Sequence, residues 1–291
     1  MAGGTNQRGR PRTQLRQRTQ QELDDQAAFT KIMVRLRAAS GIDFTGYREN
    51  FVHRRIAQQM EQYHFSRLGD YLEFLRVTPE KLGALRNYLL IEVTRFFRDP
   101  PAFQSLAHKA IPEIIKSKQQ GETIRVWIPG CSTGEEAYSI AICLVEQLGV
   151  NRLGLDIRIF GTDVKESVLS KARDGFYTPR IESQMSRERL NRFFVPTPEG
   201  YRITPMIRDL CVFGKQDVLS DPPFAKLDLI SCRNVLIYFK AAEQERVVRL
   251  FNYALRPGGF LMLSRAERSV FCSRYFESFD RNWGIYRKAP E

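Results

Sequence analysis

Residues 124–139 constrain the fold more than any other stretch of this sequence. Apolar residues alternate with other residues over 124–128, which predicts a β-strand. A turn of small residues, Gly130–Gly134, ends the strand, and Glu135 and Glu136 open a run with helical periodicity. A strand, a glycine-containing turn and a helix form the nucleotide-binding corner of open α/β sheets. The acidic pair leaves two interpretations open: charges that complement the helix dipole, or a carboxylate that contacts a cofactor.

The chain from residue 99 onward alternates strand and helix patterns. Strands are predicted at 124–128, 157–161, 210–214, 227–232 and 259–264, with a late antiparallel pair near 271–277 and 283–288, and helices near 135–147, 165–174 and 241–255. This alternation predicts an α/β domain over 99–291, built on a mainly parallel, doubly wound, Rossmann-like sheet. An insertion at about 176–209 has a helical stretch and two strand patterns around the turn 196–200, which predicts a small antiparallel β appendage.

The segment 23–98 shows helical periodicity and predicts an N-terminal all-α domain. The core positions of its second helix are predicted to be Phe51, Ile56 and Met60. We expect Arg54 and Arg55 on the solvated face of that helix. Apolar residues recur every four positions at Leu85, Leu89, Val93 and Phe97, and this spacing predicts the fourth helix.

Residues 1–22 differ in composition from the rest of the chain. They are rich in Arg, Gln, Gly and Thr and show no apolar periodicity, so we expect a disordered basic tail. Within the tail, Arg8-Gly9-Arg10-Pro11 resembles the core of an arginine arm for the minor groove of DNA. The other interpretation is a solubilising tail that happens to contain this short pattern.

The bulk composition limits the partners and the location. The net charge of +12 predicts an anionic partner: nucleic acid, an acidic protein surface or a membrane face. No apolar run approaches the roughly 20 residues that a membrane span needs. The five cysteines are widely spaced, which predicts reduced thiols and a cytoplasmic location. The three histidines pair with no cysteine at zinc spacing, so we expect no metal site.

Polar residues follow the predicted parallel strands, at the edge where open α/β sheets bind ligands. Thr162-Asp163 follows the second strand, Asp217-Val218 follows the third, and the fourth ends at Ser231-Cys232-Arg233-Asn234. An acid such as Asp163 can accept both hydroxyls of a ribose, or it can be an ordinary helix N-cap. Neither G-x-x-x-x-G-K-[ST] nor G-x-G-x-x-G occurs, so we expect a nucleoside ligand without a pyrophosphate. S-adenosylmethionine fits that description.

The tetrad Asp221-Pro222-Pro223-Phe224 resembles the D-P-P-[YF] motif of methyltransferases that act on base amino groups. In those enzymes the motif follows the fourth strand, whereas here it precedes that strand, and Ser231-Cys232-Arg233-Asn234 occupies the strand end. We therefore interpret the tetrad as a Pro-rich loop.

Four stretches together resemble the CheR-type chemotaxis receptor methyltransferases, which make glutamyl methyl esters with S-adenosylmethionine. They are Thr94–Asp99, Cys131–Ser139, Phe160–Asp163 and Cys232–Phe239. The resemblance runs from about residue 25 to the end. The sequences of 92–99 and 220–239 are most similar to the CheR portion of CheB–CheR fusion proteins. It implies a cytoplasmic, monomeric protein-glutamate O-methyltransferase that acts on a chemoreceptor or a similar sensor.

The resemblance also implies roles for individual residues. Thr94 and Arg98 would reach the cofactor from the last helix of the all-α domain. Glu136 and Asp163 would hold the amino-acid and ribose parts of the cofactor. Tyr238 and Arg98 would face the methyl group and the incoming carboxylate. The other implied contacts are Asp217 and Val218 for the adenine and Cys232 and Arg233 for the methionine moiety.

Three departures from the family pattern affect the expected cofactor contacts, at Glu92, and the expected substrate. Glu92 stands where the family often has Asn, and the receptor-facing helix at about 48–62 carries fewer arginines than is usual. The turn 196–200 looks shorter than in relatives that clamp the C-terminal pentapeptide of a receptor, so we expect a pentapeptide-independent enzyme. Two other functions compete with this one. They are a regulatory module that binds the cofactor without turnover, and a methyltransferase tethered to DNA through residues 1–22.

Overall fold

A computed structural model describes residues 12–149, 154–267 and 271–289 of the 291-residue chain. The contacts divide the chain into two compact units, the first ending at Leu90 and the second beginning at Ile91. No helix among the described residues is both long and apolar enough to cross a membrane. All five cysteines are free thiols, as their spacing predicts, and four of them are buried.

The first unit is all-α, as predicted. Its helices are α1 (Arg12–Ser40), α2 (Glu49–Gln62), α3 (Leu68–Val77) and α4 (Pro79–Leu89), with a 3-10 turn at Phe44–Gly46. Helix α1 packs against α3 and α4. The fully buried side chains at the centre of this unit are Ile32, Leu36, Tyr71, Leu75, Leu85 and Leu89.

Helix α2 turns a different face to the core than predicted. Its buried residues are Val52, Ile56 and Gln59. Phe51 and Met60 are only half-buried, so these two core predictions are wrong. The guanidinium of Arg55 lies 3.6 Å from the ring centroid of Tyr88 and donates to the Tyr88 carbonyl oxygen. The expected solvated arginine pair is therefore reduced to Arg54, which is exposed.

The start of α1 corrects the predicted tail. Because α1 begins at Arg12, the expectation of disorder is wrong for residues 12–22. That expectation relied on the missing apolar stripe, whereas Gln, Arg, Leu and Glu all have high intrinsic helix propensity. Once the buried part of α1 is nucleated by packing, the helix extends into its polar beginning without a new nucleation step. The arginine arm Arg8–Pro11 lies outside the described residues.

The end of α4 corrects the predicted fourth helix. Helix α4 ends at Leu89, so the prediction of a helix through Val93 and Phe97 is wrong. Val93 is 75% exposed, and Phe97 has a φ of +47°, a conformation that an α-helix does not contain. Phe96 and Phe97 are buried in the core of the second unit, and this packing overrides the helical spacing of the sequence.

The second unit is an α/β domain, as predicted. Its helices are α5 (Pro100–Ser105), α6 (Ile111–Lys116), α7 (Glu135–Leu148), α8 (Glu166–Asp174), α9 (Arg187–Phe193), α10 (Pro205–Arg208), α11 (Ala241–Ala254) and α12 (Cys272–Tyr275). A π-helical turn spans Leu106–Ala110, and 3-10 turns span Pro179–Ser183, Leu236–Tyr238 and Arg265–Glu267. Its strands are β1 (Thr123–Pro129), β2 (Asp156–Asp163), β3 (Phe176–Tyr177), β4 (Phe194–Thr197), β5 (Gly200–Ile203), β6 (Cys211–Lys215), β7 (Leu227–Cys232), β8 (Leu255–Leu263), β9 (Glu277–Asp280) and β10 (Ile285–Arg287).

The main sheet has the strand order β6-β2-β1-β7-β8-β10-β9. Strand β1 is parallel to β2 and β7, the pairs β2–β6 and β7–β8 are also parallel, and β10 is antiparallel to β8 and β9. From β1 the chain adds β2 and β6 on one side, and later β7 and β8 on the other. The strand order therefore reverses between β1 and β7, and ligands of doubly wound sheets bind at the carboxyl ends of the strands at such a switch point. The predicted sheet is confirmed.

The predicted antiparallel appendage is also confirmed, as a second sheet with the order β3-β5-β4. Thr197 of β4 pairs with Gly200 of β5, so the hairpin connection consists of residues 198–199. Strand β3 was not predicted, because two residues are too few to show the alternation of a strand.

The strand predicted near 271–277 is wrong. Residues Cys272–Tyr275 form the short helix α12, and β9 begins only at Glu277. Cys272 and Phe276 are both buried, and the Phe276 N–H donates to the Cys272 carbonyl at 2.9 Å. Residues four apart lie on one face of a helix but on one face of a strand as well, so the sequence alone does not separate the two.

Candidate active site

The turn between β1 and α7 lies at the switch point and brings two loops together. Gly130 and Gly134 have φ values of +69° and +92°, a conformation that favours glycine. A Cβ atom on Gly130 would lie 2.5 Å from a γ-methyl of Val235, so the close approach of the loop after β7 also requires glycine here. The Cys131 N–H donates to the Thr162 carbonyl at 2.9 Å, which ties the turn to β2. The carboxyl ends of β1, β2 and β7 therefore meet at one corner.

A buried arginine links the loop after β7 to two carboxylates. The side chain of Arg233 is 1% exposed, and its guanidinium lies 2.6 Å from an oxygen of Asp99 and 3.4 Å from an oxygen of Glu136. The other Glu136 oxygen accepts a hydrogen bond from the Ser231 hydroxyl at 2.7 Å. The guanidinium also lies 5.3 Å from the ring centroid of Phe103. The structure thus brings the predicted Glu136 and Arg233 together and adds Asp99 and Ser231.

The two acids at the start of α7 have different surroundings. Burial raises the pKa of Glu136, while Arg233, the Ser231 hydroxyl and the charge of Arg98 oppose this shift. Burial also raises the pKa of Glu135, whose carboxylate accepts a hydrogen bond from the Thr133 hydroxyl at 2.7 Å. Both acids lie where the helix dipole favours negative charge. Only Glu136, however, faces the arginine, whereas Glu135 is bonded within its own turn.

Asp163, at the end of β2, closes the other side of the corner. Its two oxygens accept the backbone N–H groups of Ser132 and Lys165, each at 3.0 Å. Burial raises the pKa of Asp163, and these backbone bonds lower it. A carboxylate has about four lone-pair positions, so the two bonds orient Asp163 and leave acceptor capacity for a ligand. Glu92 lies at the same corner, because its carbonyl accepts from the Ser132 hydroxyl at 3.3 Å and its carboxylate pairs with Lys165.

The segment 91–99 is anchored to the second unit by two phenylalanines. The Phe96 N–H donates to the side-chain oxygen of Gln184 at 2.8 Å, and the Phe97 N–H donates to the Ser139 hydroxyl at 3.0 Å. Both rings are buried. The segment is therefore held by its backbone and by its aromatic side chains, without helical structure.

This anchoring determines where Thr94 and Arg98 lie. Both residues are half-buried, and Arg98 donates from one guanidinium nitrogen to the Val93 carbonyl at 2.9 Å. The charge of Arg98 lowers the pKa of Glu136, so the two side chains are within electrostatic reach of each other. The prediction that Thr94 and Arg98 lie on the last helix of the all-α domain is wrong, because both belong to the second unit.

The loop after β6 contains Asp217 and Val218, both half-buried. The loop closes on itself: the Asp217 N–H donates to a carboxylate oxygen of Asp221, and the Asp221 N–H donates to the Asp217 carbonyl, each at 2.8 Å. The Gln216 amide donates to the Pro222 carbonyl at 2.7 Å. The Gln216 N–H donates to the Asp163 carbonyl at 3.1 Å, which sets the start of this loop beside the end of β2.

The Asp221–Phe224 tetrad is a loop, as predicted, and its aromatic residue is an anchor. The Phe224 ring stacks on Phe160 of β2, with 4.5 Å between centroids and an interplanar angle of 16°. It also meets Trp127 of β1 edge to face at 5.6 Å. Through Phe224, the tetrad therefore packs the loop that contains Asp217 against strands β1 and β2 of the sheet.

Replacing Phe224 by alanine should weaken cofactor binding without removing it. The loss of a half-buried ring should lower the free energy of unfolding by about 2 kcal/mol and release the loop that holds Asp217 and Val218. We expect the Kd for the cofactor to rise roughly tenfold, which corresponds to about 1.4 kcal/mol. Calorimetric titration measures this change directly.

Phe279→Ala is the matched control, because Phe279 is also half-buried and packs edge to face on Phe260 at 4.9 Å, and it belongs to β9, the edge strand away from the switch point. It should lower stability by a similar amount and leave the Kd within twofold. Equal changes in Kd for the two variants would show that Phe224 has no special link to the binding loop.

Cys232 is the last residue of β7, and Tyr238 lies on the loop that follows this strand. Cys232 is fully buried, and burial together with the charges of Glu267 and Glu136 raises its thiol pKa far above the usual range. The thiol is therefore protonated at neutral pH and is no nucleophile. Tyr238 ends the 3-10 turn after β7 and is half-buried.

Asp99, Ser231 and Glu267 are site residues to which the sequence analysis assigned no role. Asp99 and Ser231 contact the predicted Arg233 and Glu136, and Glu267 binds the backbone of the loop between Arg233 and Tyr238. Asp99 ends the family stretch Thr94–Asp99, and Ser231 opens the stretch at the end of the fourth strand, so both lay within recognised stretches without a role of their own. Glu267 adjoins none of them.

The strand order, together with the acids at the start of α7 and at the end of β2, defines a Rossmann-like domain that binds a nucleoside cofactor. The family domain described as "CheR methyltransferase, SAM binding domain" matches residues 92–285, and the one described as "CheR methyltransferase, all-alpha domain" matches residues 27–90. The chain therefore belongs to the CheR methyltransferase family, as its motifs predict. The cofactor of this domain is S-adenosylmethionine.

Individual relatives agree with this family. The chain is similar to chemotaxis protein methyltransferase 1 of Pseudomonas aeruginosa, with 31% identity over 272 residues that cover 90% of this chain and 98% of the relative. Chemotaxis protein methyltransferase 2 of Vibrio cholerae is 31% identical over 256 residues, covering 85% of this chain and 88% of that protein. An uncharacterized 104.1 kDa protein of Rhodobacter capsulatus is 38% identical over 248 residues, which cover 85% of this chain. The match spans only 26% of that longer relative, and the likeness to CheB–CheR fusion proteins stays a prediction.

The residues at the switch point fit S-adenosylmethionine chemically. Glu136 and Asp163 offer carboxylates, which suit an amino group and ribose hydroxyls. The Nε of Arg233 is buried and has no acceptor among the residues that the structure describes, so it can bind a further anionic group. The turn between β1 and α7 lacks the glycine pattern of a pyrophosphate site, and S-adenosylmethionine has no phosphate.

Replacing Glu136 by glutamine should weaken cofactor binding and stabilise the fold. Loss of a charge-assisted hydrogen bond, worth about 1.5–3 kcal/mol, raises the Kd roughly 10- to 100-fold. The folded-state pKa of Glu136 lies above its unfolded value, so its contribution to stability is greatest below the unfolded pKa and is lost as the pH rises through the folded pKa. At neutral pH the neutral glutamine should therefore raise the unfolding temperature. Calorimetry and thermal unfolding measure the two effects.

Glu135→Gln provides the control, since burial also raises the pKa of Glu135 but this side chain is bonded to Thr133 and not to Arg233. It should stabilise the fold in the same way and leave the Kd within twofold. The account of the site would be contradicted if both variants changed the Kd equally, or if Glu136→Gln left it unchanged.

Proposed function

We propose that this chain is a protein-glutamate O-methyltransferase. It transfers the methyl group of S-adenosylmethionine to glutamate side chains in the cytoplasmic part of a chemoreceptor or related signalling protein, and S-adenosylhomocysteine is released. The observation that carries the proposal is the match of both units to the CheR family, over residues 27–90 and 92–285. The relatives named chemotaxis protein methyltransferases support chemotaxis as the setting.

The cofactor occupies the switch point in this proposal. Glu136 binds the amino group and Asp163 binds the ribose hydroxyls. The adenine lies against Asp217 and Val218, on the loop that Phe224 anchors. The residues around the methionine moiety are Thr94, Arg98, Cys232 and Arg233. The network of Asp99, Arg233, Ser231 and Glu136 supports this assignment, because it fixes one carboxylate at the position where a cationic group has to bind.

The reaction needs little proton chemistry from the protein. When bound, the cofactor supplies an electrophilic methyl group on a sulfonium, which a carboxylate anion can take directly. A glutamate side chain has a pKa near 4.3, so at neutral pH it is already an anion and requires no general base. Arg98 holds one oxygen of the substrate carboxylate by a charge-assisted hydrogen bond, since its guanidinium stays protonated. Tyr238 contributes its hydroxyl and its ring beside a cation.

The substrate docks without a C-terminal pentapeptide in this proposal. The hairpin between β4 and β5 has a connection of only two residues, 198–199, which leaves little length for a peptide clamp. On α2, Arg55 is held by Tyr88, and Arg54 remains as an exposed arginine on that helix. With so few free arginines on α2, we propose that the chain docks on a different kind of receptor surface from the one that a strongly basic helix recognises.

The test uses the chemistry of the product. The purified chain is incubated with methyl-labelled S-adenosylmethionine and receptor-rich membranes, and the labelled protein is then treated with mild alkali. Carboxyl methyl esters are base-labile, whereas methylated amines and bases are not, so we expect the label to be released. Label that resists alkali, or label on added DNA, would overturn the proposal.

A regulatory module that binds the cofactor without turnover is the second candidate. It is favoured by Glu92, whose carboxylate pairs with Lys165 at the corner of the site. Such a module would bind S-adenosylmethionine in calorimetry and transfer no label to any receptor membrane. Its biological output would also survive Arg98→Ala.

A further inference from the structure

The carboxylate of Glu267 is buried and bonded from two directions. Glu267 ends the 3-10 turn after β8 and is 5% exposed. One oxygen accepts the N–H groups of Val235 at 2.6 Å and Leu236 at 2.7 Å. The other accepts the N–H of Asn234 at 2.7 Å, together with the N–H and the hydroxyl of Ser264 at 3.0 and 2.6 Å. These bonds tie the end of β8 to the loop after β7.

Three consecutive N–H groups converge on Glu267 because of the backbone of that loop. Asn234 has a φ of +62°, in the left-handed region, and Val235 follows with φ −113° and ψ −51°, in the right-handed region. Alternating left- and right-handed residues turn successive N–H groups toward one point and form an anion-binding nest. The nest is filled by Glu267 from within the chain, and so it is not the site for a substrate carboxylate.

The nest lies between the two ends of the functional loop. Arg233 immediately precedes it, and the 3-10 turn that ends at Tyr238 begins within it, at Leu236. Val235, the central residue of the nest, is the residue that approaches Gly130 across the corner. A shift of the nest therefore moves both sides of the cofactor corner.

The opposite edge of this loop is held by α11. The side-chain amide of Gln244 donates to the carbonyls of Leu236 and Phe239 at 2.9 and 3.0 Å. Glu267 thus binds the N–H groups that lead into the 3-10 turn, while Gln244 binds the carbonyls of its first residue, Leu236, and of Phe239, which follows its last. Of these two side chains, Glu267 is the one that binds Asn234, the residue next to Arg233.

We propose that Glu267 is a positioning residue of the active site. Its carboxylate fixes the conformation of residues 234–236 and thereby sets Arg233 against Glu136 and places Tyr238 for transfer. The placement of Tyr238 rests on the proposed function, whereas the effect on cofactor binding rests on the Arg233 network alone.

Glu267→Gln is the decisive substitution, because glutamine has nearly the same shape. Both carboxylate oxygens accept backbone N–H groups, so either orientation of the amide turns an NH2 group toward at least one N–H donor. We expect the Kd for S-adenosylmethionine to rise at least tenfold and kcat to fall at least tenfold. The KM for the receptor substrate should stay within twofold, since the helix that the family resemblance implies to face the receptor, α2, is not part of this loop.

Asp228→Asn is the control for a purely structural effect. Asp228 is a fully buried carboxylate on β7 that accepts the Arg125 N–H at 2.8 Å and pairs with Lys118 at 2.9 Å, at the strand end away from the site. It should lower the unfolding temperature and leave the Kd and kcat of the folded protein within twofold. Ser264→Ala, which removes one of the bonds to Glu267, is the milder variant if Glu267→Gln does not fold. It should raise the Kd two- to fivefold.

The proposal is overturned if Glu267→Gln folds and keeps the Kd and kcat within twofold of the wild-type values, or if Ser264→Ala leaves the Kd unchanged when Glu267→Gln does not fold. Equal changes in Kd for Glu267→Gln and Asp228→Asn would also overturn it, since the effect would then be general. If the wild-type chain binds the cofactor and transfers no methyl group, the proposed function fails. The comparison of Kd values still decides the role of Glu267 in that case.

Discussion

Replacing Arg233 by methionine should lower the free energy of unfolding by about 3 kcal/mol and abolish measurable cofactor binding. Removing one partner of a buried ion pair typically costs about 3–5 kcal/mol, because the remaining charge is buried without compensation. We expect the lower end of this range of free energies, because the side chain of Asp99 is 46% exposed and can be hydrated again. The side chain of Glu136 is 12% exposed and keeps most of its uncompensated charge buried. Denaturant unfolding measures the first effect and calorimetry the second.

The double variant Glu136→Gln with Arg233→Met separates two causes of the stability loss in Arg233→Met. One is the lost packing of the arginine side chain, and the other is the Glu136 carboxylate left buried without a counter-charge. Because the uncompensated Glu136 carboxylate is absent, the double variant should recover about 1 kcal/mol or more of the lost stability. Cofactor binding should stay undetectable in both variants. A double variant no more stable than the single one would contradict the assignment of Arg233 as the counter-charge of Glu136.

Replacing Arg98 by alanine should lower kcat/KM for methyl transfer by about 10- to 100-fold, which corresponds to the loss of one charge-assisted hydrogen bond of about 1.5–3 kcal/mol. The fold should be nearly unaffected, because Arg98 is half-buried and its hydrogen bond to the Val93 carbonyl lies near the surface. Initial rates with a receptor substrate, measured over a range of cofactor concentrations, give this ratio.

Two further variants make the Arg98 result specific. Arg95→Ala removes an exposed arginine from the same segment and should keep the wild-type rate within twofold. Arg98→Lys keeps the charge but not the planar fork and should recover only part of the activity. If Arg95→Ala and Arg98→Ala slowed transfer equally, Arg98 would act through the general charge of the segment and not through a contact.

The α/β domain was largely predictable, because its signals are local. Buried parallel strands such as β7 and the amphipathic helices between them leave periodic patterns in the sequence. The turn Gly130–Gly134 was recognisable because glycine serves both the positive φ and the close approach of Val235. The family motifs lie on these same elements, so the fold and the family were predicted from the same residues.

The errors fall where tertiary packing decides. Val93 and Phe97 continue the spacing of α4, but Phe96 and Phe97 gain more by entering the core of the second unit. The burial of Cys272 and Phe276 on one side fits a strand as well as a helix, and the hydrogen bond from the Phe276 N–H to the Cys272 carbonyl identifies the helical turn. Local patterns contain no information about such competing partners.

The sequence singled out three residues that the structure brings to one corner, and it assigned no role to the residues that support them; the roles of the three toward the cofactor stay predictions. Glu136, Asp163 and Arg233 follow strands of the sheet, and the topology brings the ends of those strands together. Asp99 and Glu267 act across large separations in sequence, through contacts with Arg233 and with the loop that follows it. Backbone N–H groups belong to almost every residue type, so a carboxylate that binds them cannot be recognised from a pattern of residues in the sequence.

The most direct test of the account is to locate the transferred methyl group. The purified chain is incubated with S-adenosylmethionine and the cytoplasmic fragment of a chemoreceptor, and peptides of the fragment are analysed by mass spectrometry before and after mild alkali. The account predicts methyl esters on glutamate side chains that disappear with alkali and are strongly reduced with the Arg98→Ala variant. Methylation of a nitrogen atom, or no methylated peptide although calorimetry shows the chain saturated with cofactor, would contradict it.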